Sequence, residues 1–307
     1  MRHLFIINPA AGKHTDPEQL SQAIRQVMKE YTGRYAIRLT THQHHAENMI
    51  RTAAENSQEP LRVYVFGGDG TLNEAVNGAA GQDHVAITVC PQGSGNDFLK
   101  IFGKDRARFS NLAELLDGDV ATFDLIECNN RLALNICSLG LDARIGVEMT
   151  NFKRLPLVTG SMSYILSLIS NVAKGTREYY EVELDGKRLD GSYTLFAVCN
   201  GRYYGGSFCP DPTAMPDDGK LSFLLVKGAS RFKVASLVQT YASGRGSQCP
   251  ELIHISDGRE LRVRCRKPSV AQLDGEMLVS DLLSFRLSAK KIHFIYPRGA
   301  SWAAEPV

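Results

Sequence analysis

The stretch FGGDGTLNEAVNG at residues 66–78 decides the fold of this chain. It follows a run of β-branched and aromatic residues at 61–66, which predicts a buried strand. It continues into apolar residues at helical spacing: Leu72, Ala75, Val76 and Ala79. Glycine at such a strand-to-helix turn lets a ligand come close, and the free N–H groups of a helix N-terminus suit a phosphate. The stretch therefore predicts an α/β unit with a phosphate-binding turn.

Asp69 is unexpected in a phosphate cradle, because a carboxylate repels phosphate. Its presence predicts a cation at the turn, either Mg²⁺ or the water shell around one. The alternative is a tight turn in which Asp69 serves as a helix cap. Three glycines around one aspartate are more than such a turn needs, so the sequence favours a ligand site.

A second loop has the same character. Residues 85–90 predict another strand, and the segment PQGSGNDF at 91–98 follows it. Ser94 and Asp97 supply a hydroxyl and a carboxylate. In open α/β sheets, ligands bind outside the carboxyl ends of the strands. We therefore expect the two loops to converge on one crevice.

The two segments together resemble the diacylglycerol kinase catalytic domain family. The pattern GGDGT with NE spans 67–74, and PxGxxNDF spans 91–98. The resemblance is closest to the soluble bacterial lipid kinases of the family, with sphingosine kinases as more distant relatives, and it covers nearly the whole chain. Ser94 stands where relatives often carry threonine, and it keeps the hydroxyl.

The resemblance implies that ATP lies over the Gly-rich turn, with Mg²⁺ positioned by Asp69 and Asp97 directly or through water. The segment NPAAG at 8–12 matches a family pattern, although by itself it predicts only an Asx turn. The residues that the resemblance places around the nucleotide are Asn8, Thr40, Gly67, Gly68, Asp69, Gly70, Thr71, Leu72, Asn73 and Ser94.

A loop at 215–221 is the predicted metal site. In relatives, this loop holds Mg²⁺ through one aspartate and two backbone carbonyls. The matching groups are the carboxylate of Asp218 and the carbonyls of Met215 and Lys220. Oxygen ligands from a tight loop suit a hard cation, whereas the Asp-Asp-Gly sequence alone would predict only a turn.

The segment LDGE at 273–276 holds the predicted catalytic base. Asp-Gly before a strand is an ordinary hairpin signal. The resemblance implies that Glu276 accepts the proton of a lipid hydroxyl, and an aliphatic alcohol needs such a positioned base at neutral pH. The Gly-rich segment 200–206 also matches the family, although its local pattern is that of a hairpin loop.

Two domains are expected. Strands and helices alternate through residue 122, which predicts an N-terminal nucleotide-binding α/β domain at 1–122 with a parallel, Rossmann-like sheet. Strands at hairpin-like spacing then predict a C-terminal antiparallel β-sandwich domain at 123–292 that takes the lipid. The resemblance implies that 293–307 returns to the first domain. Strands of the second domain are predicted at 122–128, 131–138, 181–184, 194–199, 221–226, 261–265 and 284–287.

Composition narrows the function. The 307 residues are 43% hydrophobic, enough for two packed cores. A net charge of +2 excludes nucleic-acid binding by bulk charge. The seven cysteines form no C-x-x-C pair, which predicts free thiols and a cytoplasmic location. The apolar run at 4–7 is too short for a signal peptide.

The uncharged segment 155–173 is long enough to cross a bilayer. Its proline, glycine, serine, threonine and asparagine residues dilute it, and its apolar residues mark one face, so we expect a buried helix. A membrane-docking role is the alternative.

These features combine into an ATP-dependent lipid kinase of phospholipid metabolism, for which the resemblance implies an acceptor such as diacylglycerol and the product phosphatidic acid. We expect a cytoplasmic enzyme that contacts the inner membrane surface transiently and binds no nucleic acid. Phe98, Phe152 and Tyr164 are candidate lipid-lining residues.

Two alternatives are kept. A nicotinamide-dinucleotide kinase shares the Gly-Gly-Asp-Gly turn, and a non-catalytic nucleotide- or lipid-binding protein would share the fold. The joint presence of Asp69, Asp97 and Glu276 argues against the second. The identity of the lipid and the oligomeric state, with a homodimer as one alternative, are left open.

Overall fold

The chain divides into two units. The structure, a computed structural model, describes residues 1–12, 16–31, 33–92, 95–141, 143–144, 175–206 and 208–302. The first unit comprises Met1–Leu125, Met215–Asp218 and Ser288–Val307, and the second comprises Ile126–Ala214 and Gly219–Leu287. The 215–218 part of the predicted metal loop therefore groups with the first unit.

The first unit contains a six-stranded sheet of order β2-β1-β3-β4-β16-β5. All neighbours are parallel except β16 and β5. This arrangement confirms the predicted parallel, Rossmann-like sheet. Its strands are β1 (Arg2–Ile7), β2 (Arg34–Leu39), β3 (Leu61–Gly67), β4 (Val85–Pro91), β5 (Asp119–Phe123) and β16 (Ile292–Tyr296).

Helices follow the strands of this sheet in the predicted order. The helix after the Gly-rich turn begins at Asp69, three residues before the first apolar position that predicted it. A 3-10 segment at Phe98–Ser110 changes direction at Gly103, whose φ is 53°. The helices are α1 (Pro17–Met28), α2 (His45–Glu55), α3 (Asp69–Ala79) and α4 (Leu112–Leu116).

An aromatic cluster packs around the C-terminal strand of the first unit. The ring of Phe294 on β16 lies 5.3 Å from Phe98 and 5.6 Å from Phe123. Phe98 is only 1% exposed, so its assignment as a lipid-lining residue is wrong. The other two candidates, Phe152 and Tyr164, lie outside the described residues.

The second unit is an antiparallel β-sandwich, as predicted, and its described residues form ten strands. Two clusters of buried residues form its core: one includes Phe196, Phe223 and Phe285, and the other includes Leu224 and Tyr241. The strands are β6 (Ile126–Cys128), β7 (Arg131–Ala133), β8 (Ile136–Gly140), β9 (Glu178–Leu184), β10 (Lys187–Arg188), β11 (Gly191–Cys199), β12 (Leu221–Lys227), β13 (Ile253–Gly258), β14 (Glu260–Leu273) and β15 (Glu276–Leu287).

Four predicted strands are wrong in their extent. Those expected at 261–265 and 284–287 are longer, as β14 and β15, and two others are divided. The strand expected at 122–128 is divided between β5, in the first sheet, and β6, in the second, because Asp124 directs its backbone N–H to Pro216. The strand expected at 131–138 is interrupted between β7 and β8. Helix α5 (Arg231–Ala242), β10 and β13 were not predicted.

No helix among the described residues is long and apolar enough to span a bilayer. The segment 155–173 lies outside them, so its predicted helix stays a prediction. All seven cysteines are free thiols, as predicted, and five of them are buried.

His3 supplies a test of the first unit's core. The ring is 6% exposed and lies stacked on Tyr64 and Phe5. Burial, and then the charge of Arg62, lowers the pKa of His3 below 6.5. As pH falls through 6.5, the unfolded chain takes up a proton before the folded chain, so the free energy of unfolding should fall, by at most about 1.4 kcal/mol per pH unit.

His3→Phe should remove the contribution of His3 to the pH dependence of the free energy of unfolding, because phenylalanine keeps an aromatic ring and cannot titrate. Urea unfolding of His3→Phe and of the unaltered protein between pH 7.5 and 5 measures this pH dependence. The exposed His254→Asn serves as the control. Equal slopes in His3→Phe and the unaltered protein would show that His3 does not titrate as described.

Candidate active site

Gly67 and Gly68 form the turn between β3 and α3. A Cβ at Gly67 would lie 2.4 Å from Thr71 Oγ1, so the first glycine is required by the fold. A Cβ at Gly68 would have no heavy atom within 4 Å, so this side of the turn is open. Gly68, rather than Asp69, is the N-cap residue of α3, and no side chain caps the helix. The turn therefore combines an open approach with a helix N-terminus, as an anion site needs.

Asn8 links the end of β1 to the start of α3. Its Nδ2 donates to Thr71 Oγ1 at 2.9 Å, and its Oδ1 accepts from the backbone N–H of Ala10 at 3.0 Å. The second bond is the Asx turn that the local pattern predicted. The first brings a predicted nucleotide-binding amide and a predicted nucleotide-binding hydroxyl together.

The carboxylate of Asp69 joins the two predicted phosphate loops. Its Oδ2 accepts the backbone N–H of Asn96 at 2.8 Å, and its Oδ1 accepts that of Asp97 at 2.7 Å. A Cβ at Gly95 would lie 2.6 Å from Asp69 Oδ2, so only glycine allows this approach. Asn96 adopts a left-handed φ of 57°, which directs successive N–H groups to the same carboxylate. The expected convergence of the two loops is thus observed at Asp69.

Burial, and then the charge of Asp97, raises the pKa of the Asp69 carboxyl. The N–H groups of Asp97 and Asn96 and the charge of Lys100 oppose that rise. These donors partly compensate for the burial of the carboxylate. The Mg²⁺ role of Asp69 stays a prediction.

Basic side chains reach the same loop. Lys100 forms an ion pair with Asp97, and Arg106 Nη2 donates to the carbonyl of Gly95 at 3.0 Å. Sequence reasoning missed both, because neither belongs to a glycine-rich motif. The predicted ligand Ser94 lies outside the described residues.

The remaining predicted nucleotide residues differ in accessibility. Leu72 and Asn73 are buried, and Asn73 accepts two bonds from Asn77 Nδ2. Gly70 and Thr40 are half-buried, and the N–H of Thr40 donates to Ile7 at 2.9 Å just after β2 ends. The accessible part of the predicted surface is therefore formed by residues 68–70 at the start of α3 and by Thr40.

The metal loop is tied to the C-terminal segment of the first unit. Asp124 donates its N–H to the carbonyl of Pro216 at 2.6 Å, and its carboxylate forms an ion pair with Lys291 at 2.7 Å. Asp217 accepts from Trp302 Nε1 at 3.1 Å. Asp124 is 1% exposed, and no sequence signal identified it.

The predicted metal ligands lie on one loop, and the division into two units falls within that loop. Met215 and the exposed Asp218 belong to the first unit, and Lys220, whose side chain pairs with Asp257, belongs to the second. Within the described residues, no three His, Cys, Asp or Glu side chains cluster as metal ligands. One carboxylate and two carbonyls form an all-oxygen donor set, which fits Mg²⁺.

Glu276 is the first residue of β15 in the second unit. It pairs with Leu273, the last residue of β14, across the turn Asp274-Gly275. Its side chain is half-buried. A neighbouring network involves the Gly-rich segment at 200–206, because the N–H groups of Asn200 and Gly201 both donate to the carbonyl of Asn135 at 2.9 Å.

With this geometry in place, two family profiles match the chain. The "Diacylglycerol kinase catalytic domain" covers residues 2–128, and the "YegS C-terminal NAD kinase beta sandwich-like domain" covers residues 135–293. The chain belongs to the family of this sandwich-like domain, whose profile covers more than half of it, and its N-terminal part matches the kinase catalytic domain. The match to the kinase catalytic domain implies ATP use and supports a kinase activity.

Relatives agree with this family. A protein of Staphylococcus carnosus (strain TM300) named "Putative lipid kinase" is 26% identical over 235 residues, which is 76% of each chain. A Staphylococcus aureus (strain N315) protein named "Putative lipid kinase SA0681" is 26% identical over 70% of each chain.

Solved structures share the fold. A crystal structure described as "a putative diacylglycerol kinase from Bacillus anthracis str. Sterne" is 20% identical, covers 98% of both chains and has a TM-score of 0.73. A further crystal structure, described as a diacylglycerol kinase from Bacillus anthracis str. Sterne, is 18% identical, covers 98% of both chains and has a TM-score of 0.67.

The role of the Asp69 carboxylate can be tested by comparison with Glu74, a second carboxylate on the same helix that also accepts two backbone N–H groups. Asp69→Asn replaces one acceptor oxygen by a donor, so one of the two backbone N–H groups loses its partner. We expect a loss of about 1–3 kcal/mol in the free energy of unfolding. We also expect weaker nucleotide binding, measured by urea unfolding and by titration with a fluorescent ATP analogue.

Glu74→Gln is the control. Glu74 accepts the N–H groups of His44 and Ala46 at 2.9 and 3.0 Å, so it loses a comparable contact at a different loop. Its nucleotide affinity should stay near that of the unaltered protein. Equal affinity in Asp69→Asn and Glu74→Gln would contradict the role of Asp69 in the phosphate loops.

Proposed function

We propose that this chain is an ATP-dependent lipid kinase that phosphorylates the hydroxyl of a lipid alcohol such as diacylglycerol to give phosphatidic acid. The observation that carries the proposal is the pair of loops joined by Asp69 at the carboxyl ends of β3 and β4. The match of residues 2–128 to the kinase catalytic domain supports the kinase class.

The nucleotide side of the reaction needs positioning and charge neutralisation more than covalent chemistry. The open side of Gly68 and the first turn of α3 receive the phosphates, and Asn8 and Thr71 hold the turn in place. Lys100 and Arg106 contribute positive charge to the second loop. When bound, Mg²⁺ would supply further neutralisation of phosphate charge. Asp69 and Asp97, directly or through water, are the proposed carboxylates at the phosphates, and Asp218 is the proposed carboxylate of the metal loop.

The acceptor side needs a base. Glu276 takes the proton from the lipid hydroxyl as its oxygen forms a bond to the γ-phosphorus of ATP. The bond between that phosphorus and the β–γ bridging oxygen breaks, and ADP leaves. Because the acceptor is a membrane lipid, we propose that the protein works from the cytoplasm at the inner membrane surface.

The deciding experiment uses radiolabelled ATP with three acceptors: dioleoylglycerol in mixed micelles, a total lipid extract, and NAD. Labelled phosphatidic acid from dioleoylglycerol supports the proposal, and a labelled product from the extract alone identifies another lipid. Labelled NAD phosphate alone would favour a nicotinamide-dinucleotide kinase. This alternative is included because the name of the matching sandwich domain contains the words NAD kinase. ATP binding without transfer to any acceptor would favour a non-catalytic protein.

Glu276→Gln should lower kcat by about 10²–10⁴-fold, the usual contribution of a general base. ATP affinity and the unfolding midpoint should change little, because the variant keeps the size of the side chain. Steady-state kinetics with the lipid identified above measure the effect. The exposed Glu251→Gln in the same unit is the control, and a near-normal kcat in Glu276→Gln would remove Glu276 as the base.

Asp218→Asn should raise the Mg²⁺ concentration for half-maximal activity by at least about tenfold, which corresponds to about 1.4 kcal/mol. The neighbouring Asp217→Asn is the control, because the carboxylate of Asp217 contacts Trp302. Mg²⁺ titrations of activity and of thermal stability measure both variants. An unchanged titration in Asp218→Asn, or an equal shift in Asp217→Asn, would contradict the proposed ligand.

A further inference from the structure

The turn Asp274-Gly275 joins β14 to β15 immediately before Glu276. Asp274 and Gly275 have φ values of 49° and 96°, the left-handed backbone of a tight two-residue hairpin turn. Such a turn requires residues that tolerate this backbone, but it requires nothing of the aspartate side chain. The contacts of that side chain therefore need a separate explanation.

The carboxylate of Asp274 accepts three successive backbone N–H groups. Its Oδ2 lies 2.7 Å from the nitrogen of Leu134, and its Oδ1 lies 3.1 Å from that of Asn135 and 2.9 Å from that of Ile136. In return, the N–H of Asp274 donates to the carbonyl of Ile136 at 3.2 Å. Leu134 and Asn135 occupy the break between β7 and β8, and Ile136 is the first residue of β8.

Side-chain amides also hold the break between β7 and β8. Asn135 Nδ2 donates to the carbonyl of Tyr203 at 2.7 Å, and Asn200 Nδ2 donates to that of Leu134 at 2.6 Å. A Cβ at Gly201 would lie 2.2 Å from Asn135 Oδ1, so glycine is required there. The segment that binds Asp274 is thus a fixed support.

The ladder between β8 and β14 ends with the pair Cys137 and Leu273. Asp274 continues the contact one residue further, to the tip of the hairpin. Without the carboxylate, the tip would lose the three hydrogen bonds from Leu134, Asn135 and Ile136. Glu276 is the second residue after Asp274, so its direction depends on how that tip is held.

We infer that Asp274 is a positioning residue for Glu276: its carboxylate fixes the hairpin tip against residues 134–136 and so sets the place of the base. The inference rests on the proposed function. A displacement of the base by about 1 Å is enough to cost about 10²-fold in rate. Asn cannot substitute, because its amide would direct a donor at N–H groups that need an acceptor.

The chain contains a matched control at the opposite end of β14. Asp185 and Gly186 form the turn between β9 and β10, with φ values of 46° and 79°. The Asp185 carboxylate accepts the N–H of Arg259 at 3.1 Å and that of Glu260, the first residue of β14, at 2.9 Å. The two aspartates therefore make the same kind of contact in the same unit, and only Asp274 lies next to Glu276.

The experiment compares Asp274→Asn and Asp185→Asn in the intact protein with the lipid acceptor. Both variants should lower the urea midpoint. Only Asp274→Asn should lower kcat, by about 10–100-fold, with the KM for ATP unchanged. In a Glu276→Gln background, Asp274→Asn should have little further effect on kcat, because a positioning residue acts through the base. If Asp274→Asn does not fold, Asp274→Ser and Asp185→Ser, which each keep one acceptor oxygen, replace the pair.

Three results would overturn the inference while leaving the proposed function standing. The first is a normal kcat in Asp274→Asn. The second is an equal loss of kcat in Asp185→Asn, which would show a general effect of instability. The third is an undiminished effect in the Glu276→Gln background. An unaltered protein that phosphorylates no lipid would overturn the proposed function first, and the role of Asp274 with it.

Discussion

The hydrogen bonds from the backbone of Asn96 and Asp97 to the carboxylate of Asp69 hold the first unit's phosphate loops in place. Strands β3 and β4 run in parallel register as far as the pair Gly67 and Pro91, so both loops leave the sheet at the same edge. Beyond that pair, the ladder no longer holds them together. The carboxylate joins them at this point, and the shape of the phosphate cradle follows from that bridge.

The bridge also explains why the two glycine-rich motifs belong together. Burial and the charge of Asp97 raise the pKa of Asp69, and the two N–H groups oppose part of that rise by stabilising the charged form. The donors can reach the carboxylate only because residue 95 is glycine, since a Cβ there would lie 2.6 Å from Asp69 Oδ2. Gly95 is therefore required by Asp69 and not only by a phosphate, and neither motif would keep its geometry without the other.

Local patterns predicted the parallel sheet well, because hydrophobic periodicity and glycine punctuation act within a few residues. They failed where a distant group takes a backbone N–H away from a strand. The strand expected at 122–128 breaks because the N–H of Asp124 donates to Pro216, and the one expected at 131–138 breaks where Asp274 accepts three N–H groups. The partners lie 92 and about 140 residues away, so no local window contains both. Lys100 and Arg106 were not predicted as site residues for a related reason, since no motif contains them and only the fold brings their side chains to the loop of Gly95 and Asp97.

The aspartates of the two motifs show what such a residue does in a folded chain. Asp69 was interpreted as the sign of a cation, and Asp274 as an ordinary hairpin residue, yet both carboxylates accept successive backbone N–H groups. A carboxylate is the one side chain that offers several acceptor sites and no donor, so it suits a place where N–H groups converge. Asparagine has the same size but brings a donor of its own. An aspartate at a glycine-rich turn therefore has a structural reason to be there even before any metal or substrate is considered, and its chemical role must be argued from the groups that face it.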